Sequence, residues 1–181
     1  MKRIYVLILG AVLFSASGFA QKGNNQVGVA AELGLPTGDF GEYTKAGIGG
    51  SVKGLYGIGK AGQITLTTGI MSLRAKSDFE DLLDADKITQ TIVPILAGYR
   101  HNFSGFYAEP QVGYGIYGAK IKGGMFDSKD SEGVFTWAIG VGYVVKGFEV
   151  GARYQSGHKD GESNALVGIR VGYNFSLGGN K

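Results

Sequence analysis

The fold is decided by residues 135–154, which read FTWAIGVGYVVKGFEVGARY. Large apolar side chains alternate here with small, polar or charged ones, a period of two that is typical of β-strands whose faces meet different surroundings. Lys146-Gly147 interrupts the alternation. A two-residue turn at that point would pair Val145 with Phe148 and keep the apolar faces of both strands on one side. The stretch therefore predicts a β-hairpin with one apolar face.

The same alternation predicts eight strands along the chain, at about 26–35, 46–58, 62–73, 88–103, 106–121, 132–146, 147–156 and 164–177. A second two-residue turn, Ser104-Gly105, pairs Phe103 with Phe106, which again joins apolar face to apolar face. Short connections near 59–61, 104–105 and 146–147 alternate with long polar connections near 36–45, 74–87, 122–131 and 157–163. This order predicts an all-β fold, an eight-stranded antiparallel up-and-down barrel.

Composition excludes several other classes of protein. The chain has 181 residues, enough for one domain, and its 33 glycines and 18% charged residues do not suit a helical bundle. It has no cysteine, so disulfides, thiolate catalysis and Cys-ligated zinc are excluded. The net charge of +3 includes Lys2 and Arg3, which lie in a segment expected to be removed. Basic and acidic residues otherwise nearly balance, so charge does not indicate a nucleic-acid partner.

The N-terminus is predicted to be a secretory signal peptide, residues 1–20. Positive residues are followed by an apolar run over 4–14 and by small residues that end at Ala20. The apolar run is too short for a membrane-spanning helix, which needs about 20 such residues. We therefore expect export and a barrel domain that comprises residues 21–181.

The two faces of the strands indicate where the barrel resides. The face opposite the apolar one is mostly glycine, alanine and threonine with sparse charges, which suits a crowded interior better than a soluble surface. A membrane barrel turns its apolar face to lipid, so Arg153 and Arg170 should point into the lumen. Short periplasmic turns with longer outer loops would place both termini in the periplasm. A soluble, exported, lipocalin-like ligand-binding barrel is the alternative.

Two segments carry a resemblance to a known family. GLPTGDF at 34–40 follows the first strand, and RVGYNFSL at 170–177 closes the last. With these segments the chain resembles the outer membrane protein β-barrel domain family, small eight-stranded barrels of the OmpA transmembrane-domain and OmpX type. The resemblance covers the whole mature chain and implies the outer membrane of a Gram-negative bacterium. It also implies that Arg170, Gly172, Phe175 and Leu177 form the signal read by the barrel assembly machinery.

Strand parity predicts which charged side chains occupy the lumen. They are Glu32, Lys53, Arg100, Glu109, Glu149, Arg153 and Arg170. Buried charges must pair, so this set is expected to form a network that fills the barrel. A narrow gated pore is the alternative. Pro94 and Pro110 fall inside predicted strands and remove ladder donors, which predicts local bulges at both.

Basic residues near one end of the barrel continue the outward parity of their strands. They are Arg74, Lys76, Lys120 and Lys122, and Lys87 lies between them in strand order. Such a rim could meet the phosphates of lipopolysaccharide. The loop over 74–87 also carries five acids, but these lack the ligand spacing of a calcium loop, and we interpret it as a solvated loop.

Evidence for an enzyme is weak. Outer-membrane enzymes that modify lipid A use a His with Ser and an acid near the outer rim, which draws attention to Ser156, His158, Glu162 and Ser163 in the last predicted loop. His101 is predicted at the periplasmic end of its strand, so it cannot join this group. A flexible loop is a poor scaffold for catalysis, so we predict no catalytic, cofactor or metal residues. The expected role is structural or surface interaction, with loops that contact an extracellular partner.

Overall fold

A computed structural model describes residues 25–77, 87–122, 128–159 and 161–177. They form the strands β1 (Gln26–Thr37), β2 (Gly47–Ile58), β3 (Gly62–Arg74), β4 (Lys87–Phe103), β5 (Phe106–Lys122), β6 (Ser128–Val145), β7 (Phe148–Lys159) and β8 (Glu162–Ser176). A short helix, α1 (Asp39–Tyr43), lies between β1 and β2. The all-β class is confirmed, and α1 is an addition that alternation did not predict.

The eight strands close into a barrel. Each strand pairs antiparallel with the next, and β8 pairs with β1, which confirms the predicted up-and-down topology. A walk along paired residues around the barrel returns to β1 ten residues from its start, through Gln26, Leu55, Thr65, Gly98, Gln111, Ala138, Gln155, Leu166 and Pro36. This stagger tilts the strands and leaves an interior that side chains can fill.

Apolar side chains face outward and charged ones face inward. Trp137 is 37% exposed and Phe148 is 63% exposed, whereas Arg153 and Arg170 are 5% and 3% exposed. A soluble barrel would show the reverse, because water favours charged groups at the surface. The predicted orientation is confirmed, and the outer surface is the oily band that a bilayer requires.

The two ends of the barrel differ. We call the end with the turns β2–β3, β4–β5 and β6–β7 the short-turn end, and the opposite end the long-loop end. Exposed rings gather at the short-turn end and include Phe103, Phe106, Tyr143, Phe148 and Phe175, and the half-buried Tyr173 packs against Phe148 and Phe175. Aromatic belts of this kind mark the boundary between lipid and water in membrane barrels.

The two predicted tight turns are present. Phe103 pairs with Phe106 and Val145 pairs with Phe148, which leaves two residues in each turn. Both turns begin with a residue in the left-handed region, at φ 54° for Ser104 and 50° for Lys146, and both continue with glycine at positive φ. Two successive positive φ angles match the right-handed twist of the flanking strands.

The prediction of a long fourth connection at 157–163 is wrong. Lys159 pairs with Glu162, so β7 and β8 continue to a two-residue turn. Alternation weakens there because Ser156, Gly157 and His158 are small or polar, and the segment was interpreted as a loop. Hydrogen bonds between neighbouring strands extend β7 and β8 beyond the residues that alternate. The same holds for β6, which begins at Ser128.

The predicted bulges at Pro94 and Pro110 are also wrong. The β3–β4 pairing lapses beside Pro94, between Thr68↔Ile95 and Met71↔Ile92, and resumes in the same register. The β4–β5 pairing lapses beside Pro110 and also resumes unchanged. Each proline costs ladder bonds on one side only, and the strand continues without an inserted residue.

Several predictions lie outside the described residues. They concern the signal peptide, the acidic stretch over 78–86 and the connection over 123–127. Among the residues that are described, no helix is long and apolar enough to cross a bilayer.

Candidate functional site

All seven charged residues predicted for the lumen are buried in it. Inward-facing positions on β1, β2, β4, β5, β7 and β8 place them there, because alternate residues of a strand share a face. They form two groups. One is a network of Lys53, Arg100, Glu109, Glu149 and Arg170, and the other is a pair of Glu32 and Arg153. We call the two groups together the ionic layer.

Glu109 is the acceptor at one centre of the network. Its Oε2 accepts from Lys53 Nζ at 2.6 Å and from Arg100 Nη2 at 2.8 Å and Nε at 3.0 Å. Its Oε1 accepts from Thr65 Oγ1 and Gln111 Nε2, each at 2.8 Å. Both carboxylate oxygens are therefore saturated by donors, as a buried charge requires.

Glu149 is the second centre. Arg100 donates Nη1 and Nη2 to its two oxygens, both at 3.1 Å, and so bridges the two acids. Tyr107 Oη and Asn174 Nδ2 also donate, at 2.7 and 2.8 Å. Arg170 Nε lies 3.2 Å from Oε1, an ion-pair distance without good hydrogen-bond alignment. The Arg100 guanidinium also lies 3.7 Å from the centroid of the Tyr107 ring, a cation–π contact.

The Glu32–Arg153 pair lies beside this network. Arg153 Nη2 donates to Glu32 Oε2 at 2.8 Å, and Ser51 Oγ donates to Oε1 at 2.6 Å. Of the predicted charges, four are basic and three acidic, and each acid has at least one basic partner. Removing one partner of a buried pair commonly costs about 3–5 kcal/mol, so these contacts constrain one another strongly.

Sequence reasoning missed the neutral members of the ionic layer. Tyr107 and Gln111 share the inward parity of Glu109 on β5, and Asn174 shares that of Arg170 on β8. Parity could have identified all three. The prediction considered charges alone, whereas a buried carboxylate needs more donors than its ionic partners supply.

A second group of side chains fills the lumen nearer the long-loop end. We call it the apolar layer: Met71, Leu73, Ile92 and Leu166, with Phe40 and Tyr117 packed against them. Leu73 is completely buried. Met71 and Leu73 lie on the inward face of β3, opposite the exposed Leu66 and Ile70. The interior is apolar at this level and ionic at the other, so β3 carries apolar residues on both faces.

The basic rim lies at the long-loop end. Arg74 and Lys120 are exposed, and both pair with Thr89, so they flank one β4 residue across the outer surface. Lys76 is half-buried. The backbones of Lys87 and Lys122 pair with each other, but their side chains lie outside the described ones.

His158 lies on strand β7, which corrects its predicted place in a loop. Its Nε2 accepts from Trp137 Nε1 at 3.1 Å and lies 3.0 Å from Ser156 Oγ. Ser156 is only 2% exposed, so a substrate cannot reach its hydroxyl without displacing neighbours. Ser163 pairs with His158 across the strands, and the Glu162 side chain lies outside the described ones. His101 contacts Tyr99 at the short-turn end.

The residues of the proposed assembly signal lie along β8 and just after it. Arg170 is buried, whereas Phe175 and Leu177 are each 51% exposed. A Cβ on Gly172 would lie 2.3 Å from Val29 O, so no side chain fits where β8 meets β1. Among the described residues, no group of three or more His, Asp or Glu is placed to hold a metal ion.

A family model described as "Outer membrane protein beta-barrel domain" matches residues 6–175. No curated protein sequence matches the chain.

Solved structures share the fold. Ail, the attachment invasion locus protein of Yersinia pestis, is 16% identical with a TM-score of 0.62, over 86% of this chain and 100% of that one. The N-terminal β-barrel domain of Pseudomonas aeruginosa OprF is 15% identical with a TM-score of 0.59, over 85% and 100%. Neisserial surface protein A is 13% identical with a TM-score of 0.56, over 85% and 97%. At these identities the likeness concerns the fold.

Proposed function

Since the chain belongs to the outer membrane protein beta-barrel domain family, we propose that this outer-membrane barrel has a non-enzymatic, structural or surface-interaction role. The signal peptide at 1–20 directs its export, and both termini lie in the periplasm. The long-loop end then faces the cell exterior, where its connections are available to a partner.

One observation carries this proposal: the lumen is closed at two levels. The ionic layer crosses it with a network of ion pairs and hydrogen bonds, and the apolar layer covers it nearer the long-loop end. An ion path needs polar groups or water along its whole length, and the packed side chains of Leu73, Ile92 and Leu166 provide neither. A closed lumen favours a structural or surface role over conduction.

The burial of Ser156 argues against a lipid A-modifying enzyme. A nucleophile must reach its substrate, and the His158 lone pair that would activate it already accepts the Trp137 N–H. The contact of His158 with Trp137 is better explained as a hydrogen bond that links β6 and β7 on the outer face.

The basic rim is the proposed contact with lipopolysaccharide. Arg74 and Lys120 are two strands apart across Thr89, a separation of about 10 Å at ordinary strand spacing. Lys76, Lys87 and Lys122 belong to the same proposed rim. Guanidinium and ammonium groups at such a spacing can meet neighbouring phosphates of the outer leaflet.

The barrel assembly machinery is a second proposed partner, through Arg170, Gly172, Phe175 and Leu177. Phe175 and Leu177 present exposed apolar side chains at the end of the last strand, and the tight approach of Gly172 to Val29 supports a role in closure against β1.

Cell fractionation with electrophoresis and bilayer recording tests the proposed function. The chain should require detergent for extraction, and the unheated protein should migrate differently from the heated one. Planar bilayers that contain it should stay silent. Discrete conductance steps altered in Glu109→Gln would instead indicate a gated pore. Recovery in the aqueous periplasmic fraction would indicate a soluble barrel, and a changed lipid A mass spectrum abolished by His158→Ala would indicate an enzyme.

A further inference from the structure

The long-loop end of the barrel contains an open cavity of about 630 Å³, which we call the cup. Its floor includes Phe40, Ile92 and Tyr117, members or neighbours of the apolar layer. Its walls come from α1, β4, β5, β6, the β7–β8 turn and the start of β8. Pockets of about 300–1,000 Å³ are the usual size for small organic ligands.

The floor of the cup presents aromatic surface. The Tyr117 ring lies against the barrel wall at two glycines: a Cβ on Gly115 would be 2.5 Å from Tyr117 Cε2, and a Cβ on Gly157 would be 2.6 Å from its Oη. The two glycines make room for the ring on the wall, and the hydroxyl points to β7. Phe40 and Tyr43, from α1, add two further rings to the lining.

The walls of the cup are polar. They offer the carboxylates of Asp39 and Glu132 and the amides of Gln90 and Asn164, with several hydroxyls. None of the described residues that line the cup is Lys, Arg or His. Glu132 is already paired with Lys159. The lining therefore supplies acceptors and amide donors next to aromatic rings, with little net charge left over.

We propose that the cup binds a saccharide that carries no phosphate or sulfate. A sugar ring has an apolar C–H face that packs on aromatic side chains, and hydroxyls on its edge that bond to amides and carboxylates. An anionic sugar would leave its charge without a basic partner among the described residues that line the cup. An organic cation would need several carboxylates without a partner. Glu132 is paired with Lys159, which leaves Asp39 as the carboxylate available among the described lining residues.

This inference rests on the proposed function in one respect, since a saccharide outside the cell reaches the cup only if the long-loop end faces outward. Binding to the purified chain does not depend on orientation. Failure of the titration below would remove the saccharide site alone, whereas failure of the fractionation experiment would remove the outer-membrane role.

The test is a titration of the full-length chain, refolded in an amine-oxide detergent so that no sugar headgroup competes. Maltose and N,N′-diacetylchitobiose are the probes, and amide resonances of Gly118, Ser131 and Gly161 report the cup by NMR. We expect saturable shifts there with millimolar affinity for at least one probe, and none at Gly105 at the short-turn end. Tyr117→Ala should weaken binding by about tenfold or more.

Matched variants separate the aromatic platform from damage to the fold. Tyr117→Phe should bind as the unaltered chain does, because the hydroxyl points into the wall. Tyr143→Ala removes a ring from the outer surface and should have no effect on binding, and heat-dependent migration verifies that each variant folds. Absence of shifts with both sugars, an equal loss in Tyr143→Ala, or tighter binding of spermidine or glucose 6-phosphate than of either sugar would overturn the proposal.

Discussion

The two layers of the lumen close the same barrel by different physical means. The ionic layer holds charged groups that are stable only together, because each acid is satisfied by several donors. The apolar layer holds side chains that need only to fill space. Removing one partner from the ionic layer leaves a buried charge without a counter-charge, which is costly in free energy. Removing atoms from the apolar layer leaves a cavity. Neighbouring levels of one interior therefore respond differently to the loss of a side chain.

Glu109→Gln should give the largest effect. Lys53 and Arg100 would lose the acid that both contact, and we expect a loss of about 3–5 kcal/mol in the free energy of unfolding. Urea titration of the barrel in lipid vesicles measures it. Glu42→Gln, at an exposed position of α1, is the matched control and should change little. A loss below about 1 kcal/mol in Glu109→Gln would mean that the ionic layer does not stabilise the fold.

Leu73→Ala should follow, at about 3 kcal/mol, because it opens a cavity in the apolar layer. Leu66→Ala is a control on the same strand, since Leu66 faces outward and lipid can fill the space it leaves. The same urea titration measures both. Equal losses in the two variants would contradict a packed apolar layer.

Lys53→Met should cost less than Glu109→Gln, about 1 kcal/mol or below. Arg100 remains on Glu109, and Met replaces a buried cation with apolar atoms of similar length. Comparison of the unfolding midpoints of the two variants reveals the asymmetry between the one acid and its two bases. A cost as large as that of Glu109→Gln would show that both bases are required.

The basic rim should give the smallest effect on stability. Arg74→Ala with Lys120→Ala is expected to change the unfolding free energy by less than about 0.5 kcal/mol, since both side chains are exposed. Co-purified lipopolysaccharide, assayed by its phosphate content, should nevertheless fall at least about twofold. Lys146→Ala, in an exposed turn at the opposite end, is the control. Unchanged co-purification would remove the rim as a lipid contact.

Strand parity predicted most of the fold, because the contrast between lipid and lumen imposes a strict period of two. Trp137 and Arg153 could be assigned to opposite faces from the sequence alone. Parity places Leu73 and Ile92 on inward faces, but it does not show which side chains meet inside the barrel, so the apolar layer was not predicted. The β7–β8 turn was missed for a related reason: beyond the bilayer, His158 and Lys159 stay in the ladder without alternation.

The candidate site shows the same division. The charges of the lumen follow from parity, but their partners depend on which residues meet across the interior, and the stagger of eight strands decides that. Glu32 meets Arg153 although 121 positions separate them. The cup was not predicted, because its rings come from α1 and β5, which only the closed barrel brings together.

The pairing of β1 with β8 has a further consequence. Gln26 lies opposite Ser176, and Leu177 N donates to Asn25 O at 2.8 Å, so the start of β1 and the end of β8 are neighbours. A short linker could join them, and new termini could be opened at another hairpin without breaking any ladder. Such a circular permutant would keep all the strand pairs, but a different strand would be the last one synthesised. It would show whether insertion into the membrane depends on β8 being last or on the closed barrel as a whole.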